Sequence, residues 1–391
     1  MITGLDDPSA LDAKRVGAKA AALALARQGG LPVLPGFVVE SSASAEHMKL
    51  GASALSSRGS GGARLAVMSE PPPAAARIVA AGRGLSSALT ARSSSPIETG
   101  REWAGAFTSY IGITSEELPK AVAGCWASAF SVDALERQGQ TGIEPGSVPM
   151  AVLVQPFIDP VVGGVAEIAR DGTLRVEAIA GSPARILQGW ERGVVATGRP
   201  GQRWEGAEAI SLIGLDTLGE LETALDAAFE RYGYSRCEWG VAGSLWILQL
   251  GMVARPVLSH DGLPKAASGR IAAGVWGPLA VAVVERGVKT RGVPAAPGVG
   301  VGLRHHVAGR DAPGPPDGAV VTAPSALPHL SQLIWNAAAL VTDRGSPMAH
   351  VFEAARSLGI PAVCGVDLGS DVDQIIAVDG YSGVVSTLPL I

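Results

Sequence analysis

The sequence predicts a mixed chain, α+β or α/β, folded as two compact units, and three observations predict it. The chain has 391 residues, 47% of them apolar and 17% charged, which is enough apolar mass for more than one core. Ala/Leu-rich helical stretches and short strand-like runs alternate through the larger, N-terminal part. A small-residue opening, VPAAPGVGVG, then starts a second series of short strands with one helical stretch among them. The implied boundaries are residues 1–261, a linker or hinge over 262–292, and residues 293–391.

The elements follow in order. Residues 14–28 (KRVGAKAAALALARQ) read as a helix ended by Gly29-Gly30, and LPVLPGFVVE reads as a turn and a strand. From Ser41 to Leu89 the chain is rich in Ala, Ser and Gly around Pro71-Pro72-Pro73, and it reads as part loop and part helix. Residues 89–112 read as a strand and then a small-residue loop, and residues 116–138 as helix. VPMAVLVQPF and GVAEIA have strand character, and residues 236–249 read as a hairpin turning at Gly243-Ser244. The longest apolar stretch, Ile271 to Val284, is interrupted by Gly274, Gly277 and Pro278 and is short for a bilayer, so it reads as a buried or linking helix. In the second unit GAVVTA, AALVTD, AVCGV and VVSTL read as strands. A helix is expected from about His350 to Leu358, preceded by Gly345 and Pro347 and closed by Gly359.

Composition narrows the function classes. The formal net charge is −5 and no Lys/Arg run occurs, which argues against a nucleic-acid or anionic-membrane surface but leaves room for a local pocket that binds a small anion. Cys125, Cys237 and Cys364 are far apart, odd in number and without CxxC spacing. That argues against a disulfide framework or a structural zinc and suits a reducing cytoplasm. The N-terminus lacks the apolar run of a signal peptide.

Chemistry concentrates first in TDRGSPMAHVFEAARSLGIPAVCG, residues 342–365. A small-residue turn delivers His350 to a helix start, where free N–H groups and a partial positive charge favour phosphoryl oxygens. Neutral imidazole is a good nucleophile near pH 7. A capping or surface histidine would have the same spacing. The segment resembles the phosphohistidine motif of pyruvate phosphate dikinase, phosphoenolpyruvate synthase and rifampicin phosphotransferase through Thr342, Gly345, His350, Ala355-Arg356 and Leu358 to Val363. Ser346 replaces the second Gly of a pair, Ala349 replaces a frequent hydroxyl or thiol residue, and Val351-Phe352-Glu353 replaces a more apolar run.

That resemblance covers about residues 10–256 and 293–391 and implies an ATP-grasp-like nucleotide-binding domain followed by a small β/β/α swivelling domain. GAKAAALALARQGGLPVLPGFVV resembles the opening of the nucleotide domain, with Lys19 at the phosphate-binding lysine. ARSSSPIETGREWAGAFTSYIG supplies Arg92 of an Arg-Ser-Ser element, with Gly105 and Ser109 in a loop over the nucleotide; a guanidinium fork and hydroxyls suit phosphate oxygens. Gln155 matches a glutamine at the nucleotide pocket, and Glu238 and Gln249 match hairpin residues that face Mg²⁺ and the phosphates. Arg236 stands where the family often has Asp, and Gly251 where it has Arg, a role that Arg255-Pro256 would take over after a small insertion. The resemblance implies ATP and Mg²⁺ as cofactors and a dikinase-type transfer through His350, giving AMP and phosphate. No (β/α)₈ or long helical acceptor-binding pattern fits in the remaining residues. The expected partner is a small-molecule acceptor, such as a natural product or metabolite. The alternatives are a split phosphoenolpyruvate-synthase-like enzyme with its acceptor domain in trans, and a non-catalytic phosphocarrier or regulator.

Overall fold

The computed structural model describes residues 2–98, 103, 105–169, 171–199, 201–252, 283–310, 312–369 and 373–390. Arg255-Pro256 and most of the apolar run Ile271–Val284 lie outside the described residues. The fold is α+β, as expected. It divides into one unit of Met1–Pro183 with Val194–Val253 and another of Ala184–Gly193 with Ala254–Ile391.

The first unit is built on two antiparallel sheets. One contains β1 (Ile2–Gly4), β2 (Phe37–Val39), β3 (Leu89–Ser94), β4 (Ser109–Ile113) and β5 (Ala151–Pro156) in the order β1-β2-β5-β3-β4. The other contains β6 (Val162–Ile168), β7 (Leu174–Ala180), β8 (Val194–Gly198), β9 (Arg236–Ala242) and β10 (Ser244–Gly251) in the order β10-β9-β6-β7-β8. The continuous apolar run of β5 reflects a central strand buried on both faces. Val152 and Val154 pack with Met48, Trp126 and Phe130 on one side. Ala151 and Leu153 pack with Leu23, Leu221 and Trp239 on the other.

Three sequence expectations change. The Ser41–Leu89 stretch is mostly helical, as α3 (Ala45–Val67, with a break at Gly59) and α4 (Ala75–Leu85) on either side of the prolines. Ser109 begins a strand and does not lie in a loop, because the small residues after Arg92 give way to a run that pairs with β3. The helix expected over 14–28 is broken at Gly17 (φ 79) into Ala13–Val16 and Ala18–Gln28. A Cβ on Gly17 would stand 2.1 Å from the Ser94 carbonyl oxygen, so this position needs glycine for both its backbone angle and its close approach.

The second unit carries an eight-stranded sheet of β11 (Val288–Arg291), β12 (Val293–Ala296), β13 (Val299–His306), β14 (Val320–Ser325), β15 (Ala339–Arg344), β16 (Ala362–Cys364), β17 (Gln374–Asp379) and β18 (Val384–Pro389). The order is β11-β18-β17-β13-β14-β15-β16-β12. Val288–Arg291, inside the stretch read as a linker, pairs with β18. The helix His350–Leu358 forms with the bounds the sequence predicts and ends at Gly359 (φ 70). Val351, Phe352 and Ala355 pack on Val321, Leu340 and Ala362, while Val320, Val341 and Val363 fill the sheet's other face. Among the described residues no helix is long and apolar enough to cross a membrane.

Glu40 ties the first strand to the first helix. Thr3 Oγ1 donates to it at 2.8 Å and Arg15 Nη2 at 3.0 Å. The Arg15 guanidinium holds the Glu40 carboxyl down from 4.5 to about 2, against the opposing effect of burial. Because the fold favours the ionised form, this contribution is full above the ordinary carboxylate value and is lost as pH falls from 4.5 towards about 2. Glu40→Gln should lower stability at neutral pH by about 1 kcal/mol and flatten the acid limb in that window, as read by thermal unfolding at a series of pH values.

Candidate functional site

In the first unit Arg92 gathers a cluster. Its Nη1 donates to the Leu248 carbonyl at 2.5 Å and its Nη2 to Gln249 Oε1 at 2.8 Å, with Glu238 Oε2 at 3.9 Å. A β-bulge explains the arrangement. Ile247 pairs with Trp239 and Gln249 with Glu238, so Leu248 is the extra residue of β10 and its carbonyl is released from the ladder. The same register puts Gln249 and Glu238 directly opposite each other on one face. Ser109 pairs with Arg92 across β3 and β4, which brings its hydroxyl-bearing side to the same face of that sheet.

Lys19 approaches from α2 (Ala18–Gln28). The start of that helix is fixed on the end of β3: Ala18 N–H donates to the Ser95 carbonyl at 3.1 Å and Ala20 N–H to Ser94 Oγ at 3.0 Å. Lys19 Nζ pairs with Glu98 Oε1 at 2.5 Å, and Glu98 Oε2 accepts from Ser95 N–H at 2.6 Å. Behind the sheet, burial pushes the Cys125 thiol up to about 12, with Lys19 pulling weakly the other way.

The remaining expected residues are placed differently. Gln155 is buried and its Nε2 donates to the Leu34 carbonyl at 3.0 Å, so in this state it braces the turn before β2. Gly105 occupies an exposed turn at φ 69, flanked by the stacked rings of Trp103 and Phe107. Arg236 pairs with Glu167, its register partner on β6.

In the second unit His350 is the first residue of its helix. Its Nδ1 lies 3.3 Å from Glu353 Oε2, and the side chains are 18% and 9% exposed. The turn before it is clamped from behind, because Arg356 Nη1 donates to the carbonyls of Ala295 (2.7 Å) and Pro347 (3.0 Å). Ser346 Oγ accepts from Met348 N–H at 2.9 Å, a local cap that explains how serine serves where a glycine is usual.

Sequence reasoning missed Glu98, Glu167 and the contact of Glu353. Two of the three had a readable signal. Ser95 and Glu98 have the S-x-x-E spacing of a reciprocal cap, and His350 and Glu353 have the i,i+3 spacing of helical neighbours. Glu167 had none, because its partner is set by strand register.

Comparison with known proteins matches two stretches of this chain. A family model described as pyruvate phosphate dikinase, AMP/ATP-binding domain, matches residues 73–190, and one described as PEP-utilising enzyme, mobile domain, matches residues 315–383. The first span holds Arg92, Gly105, Ser109 and Gln155, the second holds His350, and Lys19, Glu238 and Gln249 lie outside both. A probable phosphoenolpyruvate synthase of Archaeoglobus fulgidus is 22% identical over 321 residues, covering 72% of this chain and 41% of that protein. One of Methanothermobacter thermautotrophicus is 23% identical over 324 residues, covering 72% and 44%. One of Staphylothermus marinus is 33% identical over 111 residues, covering 27% and 13%. The chain therefore spans less than half the length of these curated relatives.

Arg92→Lys keeps the charge but loses the fork, so one ammonium must choose between Leu248 and Gln249. The variant should lose about 1–2 kcal/mol in urea unfolding without nucleotide.

Proposed function

This chain is a member of the phosphoenolpyruvate synthase and pyruvate phosphate dikinase family, and we propose that it moves a phosphoryl group from ATP through His350 to a small-molecule acceptor. The observation that carries the reading is His350 itself. It stands at the first position of an α-helix, partly exposed, at the end of a turn clamped by Arg356. Backbone donors at such a helix start receive phosphoryl oxygens.

In the nucleotide half, Arg92 supplies positive charge, its fork anchored on Leu248 and Gln249, and Ser109 a hydroxyl for phosphate oxygens. Lys19 adds an ammonium whose three protons allow it to keep Glu98 while meeting a phosphate. Gln155 and Gly105 complete the nucleotide contacts in this reading, Gly105 by letting backbone come close. Glu238 and Gln249 present a carboxylate and an amide oxygen from paired positions, a donor set that fits Mg²⁺ completed by water and phosphate oxygens. Bound there, the ion would supply positive charge against the negative charge that develops on the phosphate. A neutral imidazole nitrogen of His350 attacks a phosphorus of ATP in line as the P–O bond to the leaving oxygen breaks; water cleaves a second P–O bond, so the dikinase route leaves one phosphoryl group on His350 and releases AMP and phosphate. The acceptor then takes the phosphoryl group in a second displacement.

Purified protein incubated with Mg²⁺ and β- or γ-labelled ATP should release AMP and acquire acid-labile, base-stable label. His350→Ala should acquire none. Wild-type protein that neither binds nor turns over ATP would overturn the enzyme reading in favour of a carrier or regulator.

A further inference from the structure

Glu353 is the residue whose chemistry the carrier reading leaves unused. It lies three positions past His350, on the same face of the helix, and its carboxylate oxygen stands 3.3 Å from His350 Nδ1. An ionised carboxylate only accepts hydrogen bonds. For this contact to be a hydrogen bond, Nδ1 must carry the proton, and the lone pair of the neutral ring is then on Nε2. A histidine in water prefers the opposite arrangement, with the proton on Nε2. Elsewhere in the motif, Thr342 Oγ1 is buried without a hydrogen bond, Ser346 Oγ accepts from Met348 N–H, and Ala349 has no hydroxyl.

We propose that Glu353 is a positioning residue that holds His350 as the Nδ1–H tautomer, making Nε2 the atom that accepts the phosphoryl group; this rests on the phosphohistidine reading above. In the transfer, the Nε2 lone pair forms the N–P bond while the P–O bond to the leaving group breaks, and that electron pair departs with the oxygen. The Nδ1 proton stays on the ring. The ring becomes cationic, and its charge faces the Glu353 carboxylate.

The test uses the full chain with ¹⁵N-labelled histidine at about pH 8.5, well above the ordinary histidine value of about 6.5. Long-range ¹H–¹⁵N spectra of wild type should show His350 with Nδ1 protonated. Glu353→Leu should lose that preference, and its phosphohistidine formation should fall by about 10- to 100-fold. Glu353→Gln keeps an accepting oxygen in nearly the same shape and should retain both the tautomer and most of the rate. Wild-type protein with the proton on Nε2 would overturn the proposal. So would a Leu variant with unchanged tautomer and rate, or a Gln variant that behaves like Leu. The Gln variant keeps the test open where Leu fails to fold. If the tautomer depends on Glu353 as stated but ATP never labels His350, the carrier reading falls and the dyad stands. If the Leu variant is labelled on Nε2 at the wild-type rate, the dyad falls and the carrier reading stands.

Discussion

The Arg92 guanidinium is the contact on which the first unit's site depends. It leaves β3 in one sheet and is received on β10 in the other, by a main-chain oxygen and a side-chain oxygen together. A planar fork with parallel donors is the side chain that meets both without strain. The bulge at Leu248 is the other half of the device, because a regular ladder would have used that carbonyl for pairing with β9. With the fork in place, Glu238 is a largely buried carboxylate close to a cation. Without it, Glu238 would be a buried charge short of a partner, a far more costly arrangement.

Both units prepare a helix start by fastening the chain just before it. In the first, Gly17 lets α2 begin in contact with the end of β3, and Ser94 and Ser95 accept its first free N–H groups. Lys19 is thereby set beside the strand that carries Arg92. In the second, Arg356 reaches back along its own helix to hold the Pro347 carbonyl, so the turn is braced from within the element it introduces. Arg356 thus has a structural use separate from any charge it would show a ligand. Local order of this kind reduces the entropy lost when a flexible phosphate chain is bound or a ring is aligned for attack.

How much was legible in the sequence follows from which contacts are local. The helix from His350 to Leu358 and the hairpin at Gly243 were readable because their start, stop and turn signals are carried by adjacent residues. Ser41–Leu89 was read as partly loop because its glycines and serines are poor helix formers, yet packing of Met48, Val67 and Ile78 on the sheet outweighs that preference. Ser109 is hidden for a related reason: strand β4 is defined by its pairing with β3 and has little apolar alternation of its own. The acidic residues that hold Lys19 and His350 are the least visible in the sequence. Glu98 and Glu353 are ordinary acidic residues until distance shows what they hold, and the one-residue bulge at Leu248 leaves no mark in composition at all.

The departures at Arg236 and Gly251 bear on whether the nucleotide half has decayed. An arginine two residues before Glu238 on the same strand lies on the same face and, left free, would compete for that carboxylate and repel a cation. Its register partner on β6 is Glu167, and the two are paired. The arginine's charge is therefore held beside an opposite charge on the neighbouring strand, which weakens its pull on Glu238. Gly251, opposite Arg236 on β10, adds no side chain to that pair. What the exchange removes is one possible carboxylate. The oxygen pair of Glu238 and Gln249 stays on adjacent strands beside Arg92, so that arrangement does not depend on the position where Arg236 stands.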